Sequence, residues 1–237
     1  MKTADRVLSI LRLFSVERPE WTIDTVAQEL GFSASTAHDY FRSLVLSGLL
    51  VAAKAGRYVI GPAIIEYDRL TRTCDPLIES AQPVMQKLTS TLNFPCVSLL
   101  CRLYRLTVMC VDQHAAPSTG FVVSYERGRP MSLFRDAASK IILAHMPRRT
   151  LRGNFADFAT QISDAGMGQN WEAFRANLRR IRALDVCATE GELDKGMVGI
   201  SAPVFSRRMR LWAASALSFP PRRLRVGRPC GRRFHLK

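Results

Sequence analysis

No stretch of this 237-residue chain approaches the roughly 20 consecutive apolar residues that a membrane-spanning helix needs. Met1-Lys-Thr-Ala-Asp-Arg6 places charges where a secretory leader would carry its apolar segment, so a cytoplasmic protein is expected. Histidine is scarce, at four, and the six cysteines (Cys74, Cys96, Cys101, Cys110, Cys187, Cys230) include no C-x-x-C pair. Neither a metal site, a cofactor motif nor a disulfide framework is indicated, and the thiols read as buried free cysteines. No phosphate loop is present, and His114 and His145 have no neighbours in sequence that would make a catalytic group, which argues against an enzyme. Internal repeats are absent.

The formal charge of +14 suggests a nucleic-acid binder until it is divided along the chain. Residues 1–73 carry 9 Lys+Arg against 8 Asp+Glu, residues 74–205 carry 15 against 12, and residues 206–237 carry 10 against none. The excess therefore lies at the C-terminal end, and net charge says little about DNA binding elsewhere.

What is present near the N-terminus is helical periodicity. Val7, Ile10, Leu11 and Phe14 recur at i, i+3, i+4 and i+7, as do Ile23, Val26, Ala27 and Leu30. Thr22 is placed to cap the second of these helices and Gly31 to end it. Ser33 can cap a third, whose inward stripe is Ala37, Phe41, Leu44 and Val45, leaving Ser35, Thr36, His38, Asp39 and Arg42 outward. Residues 49–53 and 57–60 then read as a hairpin, completing a winged helix-turn-helix, mainly α with a β-hairpin wing, over 1–61. Gly61-Pro62 breaks the chain, and residues 62–74 form a linker helix.

Residues 75–221 read as an α+β domain with a mostly antiparallel sheet. A helical pattern runs through Leu77, Ala81, Val84, Leu88 and Leu92, with Pro83 kinking it or marking its start. Five short apolar, β-branched segments, 96–101, 106–111, 121–125, 197–205 and 211–219, predict strands. Helices are predicted at about 136–146 and 171–184.

The order of parts, with Arg6-Val-Leu-Ser-Ile-Leu, Leu30-Gly-Phe-Ser-Ala-Ser-Thr36, Gly56-Arg-Tyr-Val-Ile-Gly-Pro62, Ala137-Ala-Ser-Lys-Ile-Ile-Leu-Ala144 and Gly196-Met-Val-Gly-Ile-Ser-Ala-Pro-Val204, resembles the IclR-type bacterial transcription regulators from about residue 4 to 221. The resemblance implies a homodimer or homotetramer, as a dimer of dimers, on partly palindromic operator DNA. It also implies a GAF-like or profilin-like C-terminal sheet that binds a small organic acid or aromatic metabolite. On the first domain, Ser33, Ser35 and Thr36 suit phosphate contact, or serve as a cap and solvent-facing residues. His38 and Arg42 reach toward the groove, and Lys54 and Arg57 sit on the wing, as DNA contacts or as solvated charges. Ala34 and Asp39 stand where the family's pattern is usually basic; a carboxylate there repels phosphate but accepts from cytosine N4.

In the second domain the family's effector positions match Ala138, Ser139, Glu190, Glu192, Gly199, Ser201 and Ser218, where hydroxyls and helix-terminal amides suit a ligand carboxylate. Cys96, Met109, Phe121 and Met131 line an apolar cup or pack in the core. The basic tail, 222–237, has no apolar stripe and is expected to be disordered; it is either an out-of-frame reading or a true basic arm. A regulator that folds but no longer senses an effector is the second reading.

Overall fold

The computed structural model describes residues 3–117, 119–206 and 211–221, which fall into two compact units, Met1–Asp75 and Pro76–Lys237. The first holds helices α1 (Thr3–Leu11), α2 (Ile23–Leu30), α3 (Ala34–Leu46) and α4 (Ala63–Cys74). Its strands β1 (Trp21–Thr22), β2 (Leu50–Ala52) and β3 (Arg57–Ile60) pair antiparallel in the order β1-β3-β2. This is a winged helix-turn-helix.

Local chemistry explains each boundary. Thr22 and Thr25 form a reciprocal capping box at α2: Thr22 Oγ1 accepts the Thr25 N–H, and Thr25 Oγ1 accepts the Thr22 N–H, both at 3.2 Å. Gly31 closes that helix in the left-handed conformation at φ 64°. At α3 the Ser33 hydroxyl accepts the Thr36 N–H at 3.3 Å. A Cβ on residue 61 would come within 2.2 Å of the Gly48 carbonyl oxygen, so only glycine lets the wing close against the end of α3.

The unit's core gathers Ile10, Trp21, Val26, Tyr40, Phe41, Leu44 and Leu50. The predicted inward stripe of α3 needs one correction: Val45 is 36 % exposed, and Tyr40 is buried in its stead. Positions 37, 40, 41 and 44 are the true i, i+3, i+4, i+7 set, and the Tyr40 ring meets Phe32 edge-on at 5.4 Å. Strand β1 is too short to carry a periodic signal and was not predicted.

The second unit is α+β, a six-stranded antiparallel sheet in the order β6-β5-β4-β9-β8-β7. Its strands are β4 (Val97–Tyr104), β5 (Thr107–Ala115), β6 (Pro130–Ser132), β7 (Cys187–Glu190), β8 (Val198–Phe205) and β9 (Leu211–Phe219); its helices are α5 (Pro76–Thr91), α6 (Ala137–Ala144), α7 (Arg148–Asp164) and α8 (Trp171–Leu184). Alternation along β4 serves both faces. Leu100 packs with Leu77, Ile78 and Met85 of α5, while Leu99 and Cys101 join the main core with α6. All eight residues of α6 are buried.

Residues 121–125 are not a strand. Phe121, Val123 and Tyr125 pack into the core from an irregular segment while Val122 is 81 % exposed, so the alternation reflects a loop tethered over the sheet. β6 and β7 supply the edges instead. α5 begins at Pro76 and runs through Pro83. α7 was not predicted; it buries only Leu151, Asn154 and Ile162 and breaks helical geometry at Phe158, too sparse a stripe to read. Cys74 is exposed, against expectation, because α4 buries none of its residues; Cys96, Cys101, Cys110 and Cys187 are buried and in no disulfide among the described residues. Residues 222–237, including Cys230, lie outside the described residues.

Candidate nucleic-acid interface and ligand cleft

On the first unit, the sequence-predicted residues Ser33, Ser35, His38, Asp39 and Arg42 are exposed, and Thr36 is half-buried. The α3 start is a hydroxyl cluster: Ser33 Oγ lies 2.8 Å from Thr36 Oγ1 and 3.3 Å from Ser35 Oγ. Ser33 and Thr36 therefore spend part of their hydrogen-bonding capacity on the cap itself. A groove between α3 and the wing is lined in part by His38, Asp39, Arg42, Ala52 and Tyr58. Neither Asp39 nor Arg42 has an ion-pair partner among the described residues. The two wing cations differ. Lys54 is exposed on a 3₁₀ turn at the tip, whereas Arg57 is held by Glu20 at 2.8 Å, a partner that sequence reasoning missed because it lies 37 residues away.

On the second unit, a cleft opens between the start of α6, strands β7 to β9 and the 191–197 loop. The space left inside is about 20 Å³, room for one water molecule. Of the predicted residues, Glu192, Gly199 and Ser218 line it. Glu190 faces a neighbouring groove, with Glu192 and Thr189 shared between the two. Ala138, Ser139 and Ser201 are core residues instead: Ser139 donates to the Ser132 carbonyl at 2.7 Å and bonds the Tyr125 hydroxyl at 2.8 Å, and Ser201 donates to the Ser215 carbonyl at 2.9 Å. None of Cys96, Met109, Phe121 and Met131 lines the cleft.

Four further polar residues line it, Tyr125, Asp136, Thr189 and Asp194, along with apolar ones such as Leu99, Val123 and Met197. Glu192 accepts Lys140 Nζ at 2.5 Å and the Asp136 N–H at 3.0 Å. Asp194 accepts both the N–H and the hydroxyl of Ser124. The 191–197 loop is thus fastened at two carboxylates, one to α6 and one to the 121–125 segment.

Asp136 immediately precedes α6 with φ 72° and ψ 160°, a backbone region nearly reserved for glycine that costs about 1–3 kcal/mol. Its carboxylate accepts the Thr189 hydroxyl at 3.1 Å. Burial raises its pKa above the ordinary carboxylate value; the Ala137 and Ala138 amides and Thr189 act in the opposite sense, and the Glu192 charge adds to the rise. Those two amides face the carboxylate without a capping hydrogen bond of regular geometry. An aspartate just before an apolar helix is a visible cap signal, and it could have pointed to this position. Tyr125 is pushed upward, first by burial.

Asp136, Glu192 and Asp194 do not converge on a point, and among the described residues no three His, Cys, Asp or Glu side chains form a metal site. Among the same residues no helix is long and apolar enough to cross a membrane. His114 does have a hydroxyl neighbour, Thr89, at 2.8 Å. Thr89 is buried, and its one hydroxyl proton is shared among the Met85 and Gln86 carbonyls and His114 Nδ1, whose role depends on the imidazole tautomer.

The IclR helix-turn-helix domain matches residues 3–53, and the C-terminal domain of the bacterial transcriptional regulator IclR matches residues 72–229. The chain is 22% identical over 222 residues to the HTH-type transcriptional regulator XynR of Escherichia coli K12, covering 92% of this chain and 86% of that protein. An IclR transcriptional regulator from Alicyclobacillus acidocaldarius superposes with a TM-score of 0.74 at 16% identity, over 94% of this chain and 90% of that one. An IclR homolog from Microbacterium hydrocarbonoxydans, solved with 4-hydroxybenzoate, gives 0.66 at 18% identity, over 92% and 89%.

Proposed function

This chain belongs to the IclR family of bacterial transcription regulators, and from that premise we propose that α3 and the wing bind operator DNA while the cleft beside α6 holds a small effector, an organic acid or an aromatic metabolite. The observation that carries the reading is the pairing of an outward face on α3, with unpaired Arg42 and Asp39, with a loop-closed polar cleft in a separate compact unit. Ser35 and Thr36 contact phosphate at the start of α3, and Arg42 reaches a base edge or phosphate. Lys54 contacts the backbone from the wing tip. Arg57 braces the wing through Glu20 and contributes less.

Glu192, Gly199 and Ser218, with Asp136, Thr189 and Asp194, form the effector's wall. A homolog bound to 4-hydroxybenzoate supports a ligand of that size. The protein works in the cytoplasm as a dimer or dimer of dimers without enzymatic activity, with α4 as the connector through which effector occupancy biases DNA affinity.

Fluorescence anisotropy of the full chain on its upstream intergenic DNA, at two salt concentrations, tests the DNA half. Preference over random DNA with a log–log salt slope of a few supports it, and equal affinity for random DNA overturns it. The cleft's capacity of one water favours a second reading, a regulator that folds without sensing; a metabolite that shifts operator affinity eliminates it.

A further inference from the structure

The cleft wall contains three carboxylates, Asp136, Glu192 and Asp194, and no Lys, Arg or His. Lys140 compensates Glu192 from the neighbouring groove, and Ser124 occupies Asp194. Asp136 has no cation; it has the Thr189 hydroxyl and the amides of Ala137 and Ala138. Those amides, at the start of a buried helix, are where a ligand carboxylate would be received. Here the Asp136 carboxylate faces that position from within the chain, without a capping hydrogen bond.

Two further observations show that the placement of this carboxylate is built in. A Cβ on residue 199 would stand 2.9 Å from Asp136 Oδ1, so Gly199 leaves the room that this carboxylate uses. The backbone of Asp136 is held where glycine would sit without strain, yet a carboxylate stands there.

We propose that the effector group seated against the start of α6 is a hydrogen-bond donor, a hydroxyl or an ammonium, received by Asp136, and that a carboxylate is excluded from that position. The inference rests on the reading of the cleft as the effector site. It narrows how that effector is received: as the side chains of the 191–197 loop move aside to enlarge a cleft that otherwise holds one water, a hydroxylated aromatic, or an acid that carries a hydroxyl, turns its donor toward Asp136 and its carbon skeleton toward Leu99, Val123 and Met197. An anion at Asp136 would meet an uncompensated carboxylate in a desolvated site.

Three probes that share one ring and differ in one group, benzyl alcohol, benzylamine and benzoate, test this by calorimetric titration of the full chain. Nuclear Overhauser contacts from the ring to Val123 and Met197 would place the probe. The wild type is expected to bind the alcohol and the amine about tenfold more tightly than benzoate, the size of one charge-assisted hydrogen bond. Asp136→Gly relieves the strained backbone and frees the two amides, and it should reverse the order.

Asp136→Asn keeps the side chain's shape without its charge. It should lose most of the tenfold preference of the amine over benzoate, which guards against misfolding of the glycine variant. Benzoate preferred by the wild type, or an order unchanged in both variants, overturns the inference while leaving the cleft as the effector site. If neither the wild type nor a variant binds any of the three, the cleft reading falls and the inference falls with it.

Discussion

Two helix starts in this molecule meet the same electrostatic problem in opposite ways. At α3 the Thr36 amide is capped by a neutral hydroxyl, that of Ser33, which also bonds the Thr36 hydroxyl, on an exposed surface with no carboxylate in the first turn. At α6 the first amides face the Asp136 carboxylate in a closed cleft. A helix N-terminus attracts anions in either setting, but only the first leaves its partial positive charge for a partner to use. The contrast separates a surface prepared for phosphate from a cleft that has supplied its own anion.

The largest expected effect breaks the α6 side. Lys140→Met leaves Glu192 without its cation in a site where the lysine is 10% exposed, and urea unfolding should show the second unit losing about 3 kcal/mol, at the lower end for a broken buried pair because Glu192 is 30% exposed. At α3, Arg42→Ala should weaken operator affinity by about 1–3 kcal/mol in an anisotropy titration, and Asp39→Arg should strengthen it at moderate salt, because a carboxylate leaves the phosphate-facing side. Ser33→Ala removes the cap and should cost the first unit about 1 kcal/mol in thermal unfolding.

The smallest effect is a pH dependence. Asp136 has a folded-state pKa above its unfolded one, so its contribution to stability is fully present below the unfolded pKa and is lost as pH rises through the folded value. Asp136→Asn should therefore raise Tm at neutral pH relative to the wild type, with the difference shrinking on acidification below the ordinary aspartate range.

What was legible in the sequence follows from the range of each signal. Caps and stripes are local, and Thr22, Gly31, Ser33 and the Ala37-Phe41-Leu44 face were readable from neighbours within a turn. Val45 was misplaced because it lies i+4 from Phe41, at the edge of the stripe, while Tyr40, i+3 from Ala37, takes the buried position. The 121–125 segment has strand-like alternation, but its backbone partner is Asp194, 70 residues on from Ser124, and no local pattern reports that.

The cleft was harder to read for the same reason. Matching positions selected Ala138, Ser139 and Ser201, whose side chains the packing turns into the core, and passed over Asp136, whose role depends on Thr189, Gly199 and Glu192 arriving from other strands and loops. The pairing of Arg57 with Glu20 was hidden by the same distance in sequence.

The most direct test of the contrast is one titration of the isotope-labelled full chain with inorganic phosphate, following backbone amide resonances. The account predicts saturable shifts at Ser35 and Thr36, none at Ala137 and Ala138 in the wild type, and shifts at Ala137 and Ala138 once Asp136 is replaced by glycine. Shifts at Ala137 and Ala138 in the wild type, or a silent α3 start, would contradict it.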